Sequence, residues 1–458
     1  MANYELIIIG AGLSGLAAGI RAARFGVQTL IVEQHHSPGG LNSYYRRQGH
    51  LFETGLHAMT NFAPAKDKRA PLNLLFRQLH LSRRDFPVRE QIGSEIIFPA
   101  GSLSFSNDPA LLDVEIARLF PQASEAFRRL RKAIANYDPF TPAPWRSARH
   151  FIQDYLHEPL LENMLLLPLM VYGNAEENDM DLGQFVIMFR AIFEDGLFRP
   201  QTNMNDFLNL LVQQFEEFGG QLRYNAAVEK ILFRGTHAQA VCLADGTRLA
   251  TKKIISTAGI PETIRLSGWQ TPSTEHRGKM SFTETISLLP KEIADSLRQD
   301  RTILFYSESN SPQYKRPDML QDTSWGVICF PDNFAEKELK AFFSVRVTNS
   351  ASYPLWHSLE KDVYVERKKA CRKEAVAVSE KYIGPYQDAV VYEDSFTPLT
   401  IERFTRKAEG AVYGSPLKIH DGITPWANLF IAGTDQGYLG IVGSMLSGIS
   451  MVNKHILV

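Results

Sequence analysis

Cysteine is scarce: Cys242, Cys329 and Cys371 are the only three in 458 residues. They lie far apart, with no C-x-x-C pair and no Cys/His spacing of a metal site. A disulfide framework and a zinc centre are therefore excluded, and reduced thiols in a cytoplasmic setting are expected. Excess charge of either sign is also missing, since 49 basic side chains face 50 acidic ones. That balance removes any global pull toward nucleic acid or anionic lipid. Basic clusters such as 128–132 and 367–369 interleave with acidic residues and read as solvated helix faces. Long hydrophobic runs are absent too. The longest, residues 6–20, is short of a membrane span and is interrupted by glycines. No basic-then-apolar leader precedes it, so no signal peptide is expected.

What is present is an opening β-α-β unit. Residues 6–9, Leu-Ile-Ile-Ile, are an apolar β-branched run of the kind buried in a parallel sheet. A glycine turn follows, then a small-residue helix over 13–25, then a second strand ending near Glu33. Regularity fades over 62–202 and returns at 203. Met204, Phe207, Leu208, Leu211, Phe215 and Phe218 recur at three- and four-residue steps, which predicts an amphipathic helix closed by Gly219-Gly220. Three short strands are predicted after it, the last two joined at Asp245-Gly246. A second irregular block covers 266–420, and 421–458 holds a strand and a final small-residue helix. The length suits more than one core. The expected division is a nucleotide domain in three pieces, 1–61, 203–265 and 421–458, with substrate-domain segments 62–202 and 266–420 inserted between them.

Gly10, Gly12 and Gly15 form G-x-G-x-x-G between strand and helix. The first permits the turn, the second lets backbone approach a pyrophosphate, and the third lets helix pack on strand. The helix start, at Leu13 and Ser14, then directs free N–H groups at phosphate. Glu33 lies 18 residues past Gly15, where an acceptor for ribose hydroxyls belongs, with Gln34 beside it. An acid there disfavours a 2′-phosphate, so FAD or NAD is expected rather than NADP.

From residue 34 onward the chain resembles the FAD-dependent amine oxidase and phytoene desaturase superfamily, which includes carotenoid isomerases. Gly39-Gly40, then Gly49, Phe52, Glu53 and Gly55, fall in the register of that superfamily's second motif. Residues 428–452, Asn-Leu-Phe-Ile-Ala-Gly onward, are similar to its final FAD motif. Residues 203–231 and 252–259 resemble its adenine-side and returning strands. Leu41 replaces the usual arginine, Glu53 the usual aspartate and Leu56 the usual proline. The C-terminal acid falls at Asp435 rather than at Thr434. The resemblance implies an α/β, glutathione-reductase-like fold: a Rossmann-type FAD domain in three segments with an inserted α+β substrate domain. It implies non-covalent FAD, since no cysteine stands in the C-terminal segment for a cysteinyl bond. By the same transfer, Gly39, Gly40 and Leu41 would meet the diphosphate, and Gly433, Thr434 and Asp435 the diphosphate and ribityl chain. Gly55, Leu56 and Ala258 would lie by the flavin, and Gly440, Ile441 and Val442 would start a helix facing its pyrimidine edge. Val228 either holds adenine through its backbone or is a strand core residue.

A second G-x-G-x-x-G after a strand is lacking, so no NAD(P)H domain is expected. The inserted apolar stretches 164–172 and 185–193 read either as core helices or as the lining of an apolar tunnel or membrane-dipping surface. The resemblance implies an apolar, isoprenoid- or polyene-like substrate, dehydrogenated by hydride transfer to the flavin. A redox-neutral isomerase or dehydratase, an amine oxidase and a flavin-free prenyl-binding protein of the GDP dissociation inhibitor type are the alternatives. His57 is the candidate acid–base group, or else a histidine bonded to backbone beneath the cofactor. Tyr438 is the second candidate, or else a turn aromatic. Of Tyr44 and Tyr45, which alternate along a strand, only one can face the cofactor. Composition leaves the oligomeric state open.

Overall fold

The computed structural model describes residues 3–55, 57–141, 143–272, 274–298, 300–336 and 341–458. The first strand, β1 (Asn3–Ile9), sits at the centre of a sheet because both its faces are apolar. Leu6, Ile7 and Ile8 are wholly buried, and parallel neighbours flank it on both edges. One neighbour is β2 (Thr29–Val32), reached through α1 (Leu13–Arg24). The other is the strand Arg248–Ser256. Across the sheet the order is Gln221–Arg223, β2, β1, Arg248–Ser256, His237–Leu243 and Val228–Arg234. Leu429–Ile431 also pairs with Arg248–Ser256. Seven strands from three distant stretches of chain thus share one sheet.

A second seven-stranded sheet, mostly antiparallel, runs Tyr392–Phe396, Ser281–Pro290, Phe342–Ala351, Gln321–Cys329, Ile303–Ser307, Ser94–Phe98 and Gly101–Phe105. Its strands come from both of the irregular blocks. A hairpin (Tyr44–Arg47 with His50–Glu53) and a small sheet of Met59–Thr60, Leu197–Pro200 and Val88–Glu90 complete the strands. The amphipathic helix is Met204–Glu217, and Gly219 adopts φ +82° just beyond it, where a side chain would be strained.

The apolar inserts are core. In the helix Pro159–Gly173 every residue from Leu161 to Val171 is buried, including Pro168, so this helix has no solvent face. The helix Leu182–Phe189 runs on into a π-turn, Arg190–Glu194, with the Phe189 ring tilted against Phe185 and edge-on to Phe193. Among the described residues no helix is long and apolar enough to cross a membrane.

Candidate functional site

At the end of β1 the chain turns at Gly10, whose φ of +103° only glycine adopts without strain. Its N–H donates to the Val32 carbonyl. A Cβ at Gly15 would lie 2.0 Å from the Gly10 carbonyl oxygen, so this glycine is what lets α1 rest on the strand. Gly12 is different: a Cβ there would meet nothing within 4 Å, and its φ of −68° suits any residue. The space over Gly12 is open. Gly39 runs parallel to Gly12 as an isolated bridge and donates to the Ala11 carbonyl at 2.9 Å, which brings the Gly39-Gly40 pair beside the first turn.

Two helices that pack on each other here begin without a cap. The first turn of α1 has no capping side chain and no acidic residue, and neither has that of the C-terminal helix Gly440–His455. Among the described residues no side chain caps their orphan N–H groups and positive dipole ends. The helices are stitched together by small residues. A Cβ at Gly448 would strike the Ser14 carbonyl oxygen at 2.0 Å, and one at Gly433 would lie 3.2 Å from Ser14 Oγ. Leu13, Ile441 and Val442 point into the core, so only their backbone is left to face a ligand. An open glycine edge between two uncapped helix starts fits a diphosphate-bearing cofactor.

The other predicted nucleotide residues fall around this edge. Glu33 is buried, and its two oxygens accept from Ala11 N–H at 2.7 Å and His35 N–H at 2.9 Å, locking the carboxylate against the turn. Gln34 follows it. Backbone from Asn225 and Ala226 donates back to His35 and Glu33, which carries Val228, half-buried at a strand start, to the same end of the sheet. Ala258 follows Thr257, whose hydroxyl donates to the Ile9 carbonyl at 2.8 Å beside Gly10. The Leu41 carbonyl accepts from Thr54 Oγ1 at 2.7 Å, and a Cβ at Gly55 would lie 2.5 Å from that same oxygen. Gly55 is thus already required by its own backbone neighbour. Leu56 lies outside the described residues. Asp435 turns inward: its carboxylate accepts from Ile260 N–H at 2.6 Å and Ser415 N–H at 2.8 Å. Thr434 is the side chain left partly open, with Lys407 Nζ at 3.3 Å.

Past Gly55 the chemistry changes. His57 Nε2 lies 3.3 Å from Glu284 Oε2 and 3.0 Å from Thr348 Oγ1. Glu284 and Thr348 sit directly opposite each other on the paired strands Ser281–Pro290 and Phe342–Ala351. Arg346, two residues before Thr348 and buried, pairs with Glu284 and donates to the Thr54 carbonyl at 2.7 Å. Burial alone would raise the Glu284 carboxyl. The charges of Arg346 and His57, and their hydrogen bonds, outweigh it and hold the group at about 2. The His57 carbonyl accepts from Arg199 at 3.0 Å, and Arg199 pairs with Glu53, which caps Met204 N–H at 2.8 Å. His57 is therefore pinned by both its ring and its backbone, and the Tyr172 ring stands 6.2 Å away.

The two tyrosines of the hairpin divide as alternation requires. Tyr45 stacks on Phe52 and donates to Asp394 at 3.0 Å, while Tyr44 packs on the core beneath α1. Tyr438 stacks on the exposed ring of Phe140 at 6.1 Å. Glu284, Arg346, Thr348 and Arg199 were not singled out by sequence reasoning. The available signal was a lone charge in a run of β-branched, aromatic and small polar residues, at Glu284 in 281–289 and at Arg346 in 342–348.

The profile of flavin containing amine oxidoreductases matches residues 13–319. The chain belongs to this family. Its cofactor class is a flavin. Lycopene-forming phytoene desaturases of Pseudescherichia vulneris and of Paracoccus sp. are 24% and 25% identical to it. The first match spans 57% of both chains, the second 69% of both. Against the Pseudescherichia vulneris enzyme, then, the chain spans little more than half of its relative's length. Prolycopene isomerase 2 of an Oncidium hybrid cultivar is 22% identical over 92% of this chain and 77% of the isomerase. Among solved structures, an oxidoreductase from Methanosarcina mazei superposes with TM-score 0.68 at 14% identity, covering 98% of this chain and 100% of that one. A redesigned putrescine oxidase gives 0.66 at 16% over 99% of both chains. A Rab GDI from Plasmodium falciparum gives 0.54 at 9%, covering 99% of this chain and 98% of that one. These structural likenesses show the fold.

Proposed function

We propose that this chain binds FAD non-covalently and dehydrogenates an apolar, isoprenoid-like small molecule. The observation that carries the reading is the hand-over at residues 55–57. On one side lies an open glycine edge flanked by two uncapped helix starts. On the other lies a buried His57–Glu284–Arg346 cluster. When bound, FAD supplies a two-electron acceptor. Backbone of residues 10–15, 39–41, 433–435 and 440–442 would hold it, with Glu33 at the ribose, Val228 by the adenine and Ala258 near the ring. We assign 1–61, 203–265 and 421–458 to the cofactor and 62–202 and 266–420 to the substrate.

His57 would hold or accept a proton beside the reacting carbon. Glu284, kept ionised by Arg346, faces Nε2 at 3.3 Å and fixes the ring's orientation together with Thr348. The desaturase and isomerase relatives support an apolar substrate, and a cytoplasmic setting with access to lipid would supply one.

A second reading is redox-neutral isomerisation, favoured by the isomerase match over 92% of this chain. Anaerobic incubation of the purified protein with phytoene or prolycopene separates the two. Bleaching of the oxidised flavin spectrum by substrate supports dehydrogenation; turnover only after prior reduction supports isomerisation. A likeness to Rab GDI supports a third, flavin-free prenyl-binding reading, and an amine oxidase reading rests on the putrescine oxidase fold. A colourless protein that still binds a prenyl chain would favour the former, and oxidation of an amine by the holoprotein the latter.

A further inference from the structure

The glycine edge that fits a diphosphate has no positive side chain of its own. Residues 10–15, 39–41, 433–435 and 440–442 contain no lysine, arginine or histidine. Their one ionisable side chain, Asp435, is an acid, and so is Glu33 beside the first turn. The uncapped helix starts offer only partial positive charge. Two phosphate charges set near two carboxylates need a full cation as well.

Lys407 stands where that cation is missing. Its Nζ donates to Thr434 Oγ1 at 3.3 Å, and among the described residues no carboxylate lies at ion-pair distance from it. The nearby acids are already engaged. Asp435 accepts from Ile260 N–H, from Ser415 N–H and, at 3.4 Å, from the Thr434 hydroxyl. Glu262 accepts from Ala408 N–H at 2.6 Å. Thr434 directly follows Gly433, which lies against Ser14 in the first turn of α1. The ammonium is therefore half-buried beside a helix start, with N–H groups to spare.

The stretch that carries Lys407 follows the same edge. The helix Pro398–Thr405 packs on Gly40–Asn42, and the His35 ring donates to the Phe404 carbonyl near its end. Gly40 is exposed, and a Cβ on it would lie 3.6 Å from the Gly12 Cα, so this pair and the open space over Gly12 are neighbours. Arg406 closes the helix at φ +58°, and Lys407 follows that turn. Residues 398–407 thus touch the ribose side at His35, the second glycine pair at Gly40 and the C-terminal motif at Thr434.

We propose that Lys407 binds the diphosphate of the flavin nucleotide as the full positive charge that the glycine edge lacks. This rests on the cofactor reading made above and adds to it a residue from the 266–420 stretch.

The test is release of FAD from the purified, FAD-loaded full-length protein on serial dilution, read from the recovery of flavin fluorescence. It is run in about 0.05 M and about 0.5 M KCl, since salt weakens a contact between a lysine and a phosphate. The unaltered protein is expected to hold FAD less tightly in the higher salt. Lys407→Met should weaken binding by about ten- to a hundredfold, the loss of one charge-assisted hydrogen bond, and should flatten the salt dependence. Lys407→Arg should keep most of both. A lysine that merely braces Thr434 would leave the salt dependence as it was. An unchanged salt dependence in Lys407→Met, or FAD binding of unaltered strength, therefore overturns the proposal. Should Lys407→Met not fold, an FAD affinity of the unaltered protein that salt does not lower overturns it by itself. The two assignments fail differently. If neither protein binds FAD, the cofactor reading falls and takes this one with it; if both bind FAD equally, this one falls alone.

Discussion

His57 and Glu284 lie 227 positions apart in the chain and meet at 3.3 Å. The imidazole comes from the loop that leaves the first motif region, and the carboxylate from the middle of the second sheet. Arg346, on the neighbouring strand, completes the group and keeps Glu284 ionised. The first motif region and the second sheet meet here, as they also do where Arg346 reaches the Thr54 carbonyl and Tyr45 reaches Asp394, and the first expectation concerns His57. His57→Ala should lower turnover by roughly 10²–10⁴-fold, the usual worth of a positioned acid–base group, with flavin content unchanged. Unchanged turnover with bound flavin would leave His57 as a packing residue.

Gly12 and Gly15 should respond in opposite ways. Alanine at 12 meets open space and an ordinary φ, so Gly12→Ala should fold with the melting temperature of the flavin-free protein and yet fail to retain flavin. Alanine at 15 drives a methyl to 2.0 Å from the Gly10 carbonyl oxygen, so Gly15→Ala should lose soluble protein. Thermal denaturation of both variants, with flavin content read from absorbance, checks the pair.

Breaking the buried ion pair should be expensive. Arg346→Met strands the Glu284 carboxylate and is expected to destabilise the fold by about 3–5 kcal/mol, measured by urea denaturation. Restoring neutrality with Glu284→Gln in the same chain should recover part of the loss. The sign for pH follows from the depressed carboxyl. The pair's contribution is complete above the ordinary carboxyl value of 4.5 and is lost as pH falls toward about 2.

Asp195 carries the opposite sign. Burial, named first, raises its carboxyl from 3.8 to about 6, Glu194 and Asp67 add to the rise, and the Asn61 amide at 3.1 Å only partly offsets it. The folded state therefore holds a proton that the unfolded chain has released, and stability falls as pH rises from about 4 to about 6. Asp195→Asn removes that loss. It should raise stability at pH 7.5 by about 1–3 kcal/mol, with the gain vanishing near pH 4. Melting curves of the two proteins at both pH values decide it.

Legibility in the sequence followed the range of the interaction. Gly10, Gly12, Gly15 and Glu33 are readable because turn, helix start and acidic strand end lie within 24 residues of one another. The helix from Met204 was readable from its own period. The second sheet was not, since its strands come from residues 94–105 and 281–396 and no local pattern announces their pairing. Glu284 and Arg346 were missed for that reason: each is a lone charge in a buried strand, and their meaning appears only when the strands are side by side. Asp435 was readable as a motif acid but not in its direction, because Ile260 and Ser415, whose N–H groups it caps, arrive from two other segments. The apolar inserts had two readings from composition, and complete burial of 161–171 decides for core.

The central claim is that a flavin nucleotide sits between the two uncapped helix starts, and its most direct measurement is the absorbance of the purified protein before and after denaturation. The account predicts a yellow protein with flavin bands that releases FAD, identified by mass, into the supernatant. A colourless protein that takes up no FAD on reconstitution, or flavin that stays with the denatured chain, would contradict it.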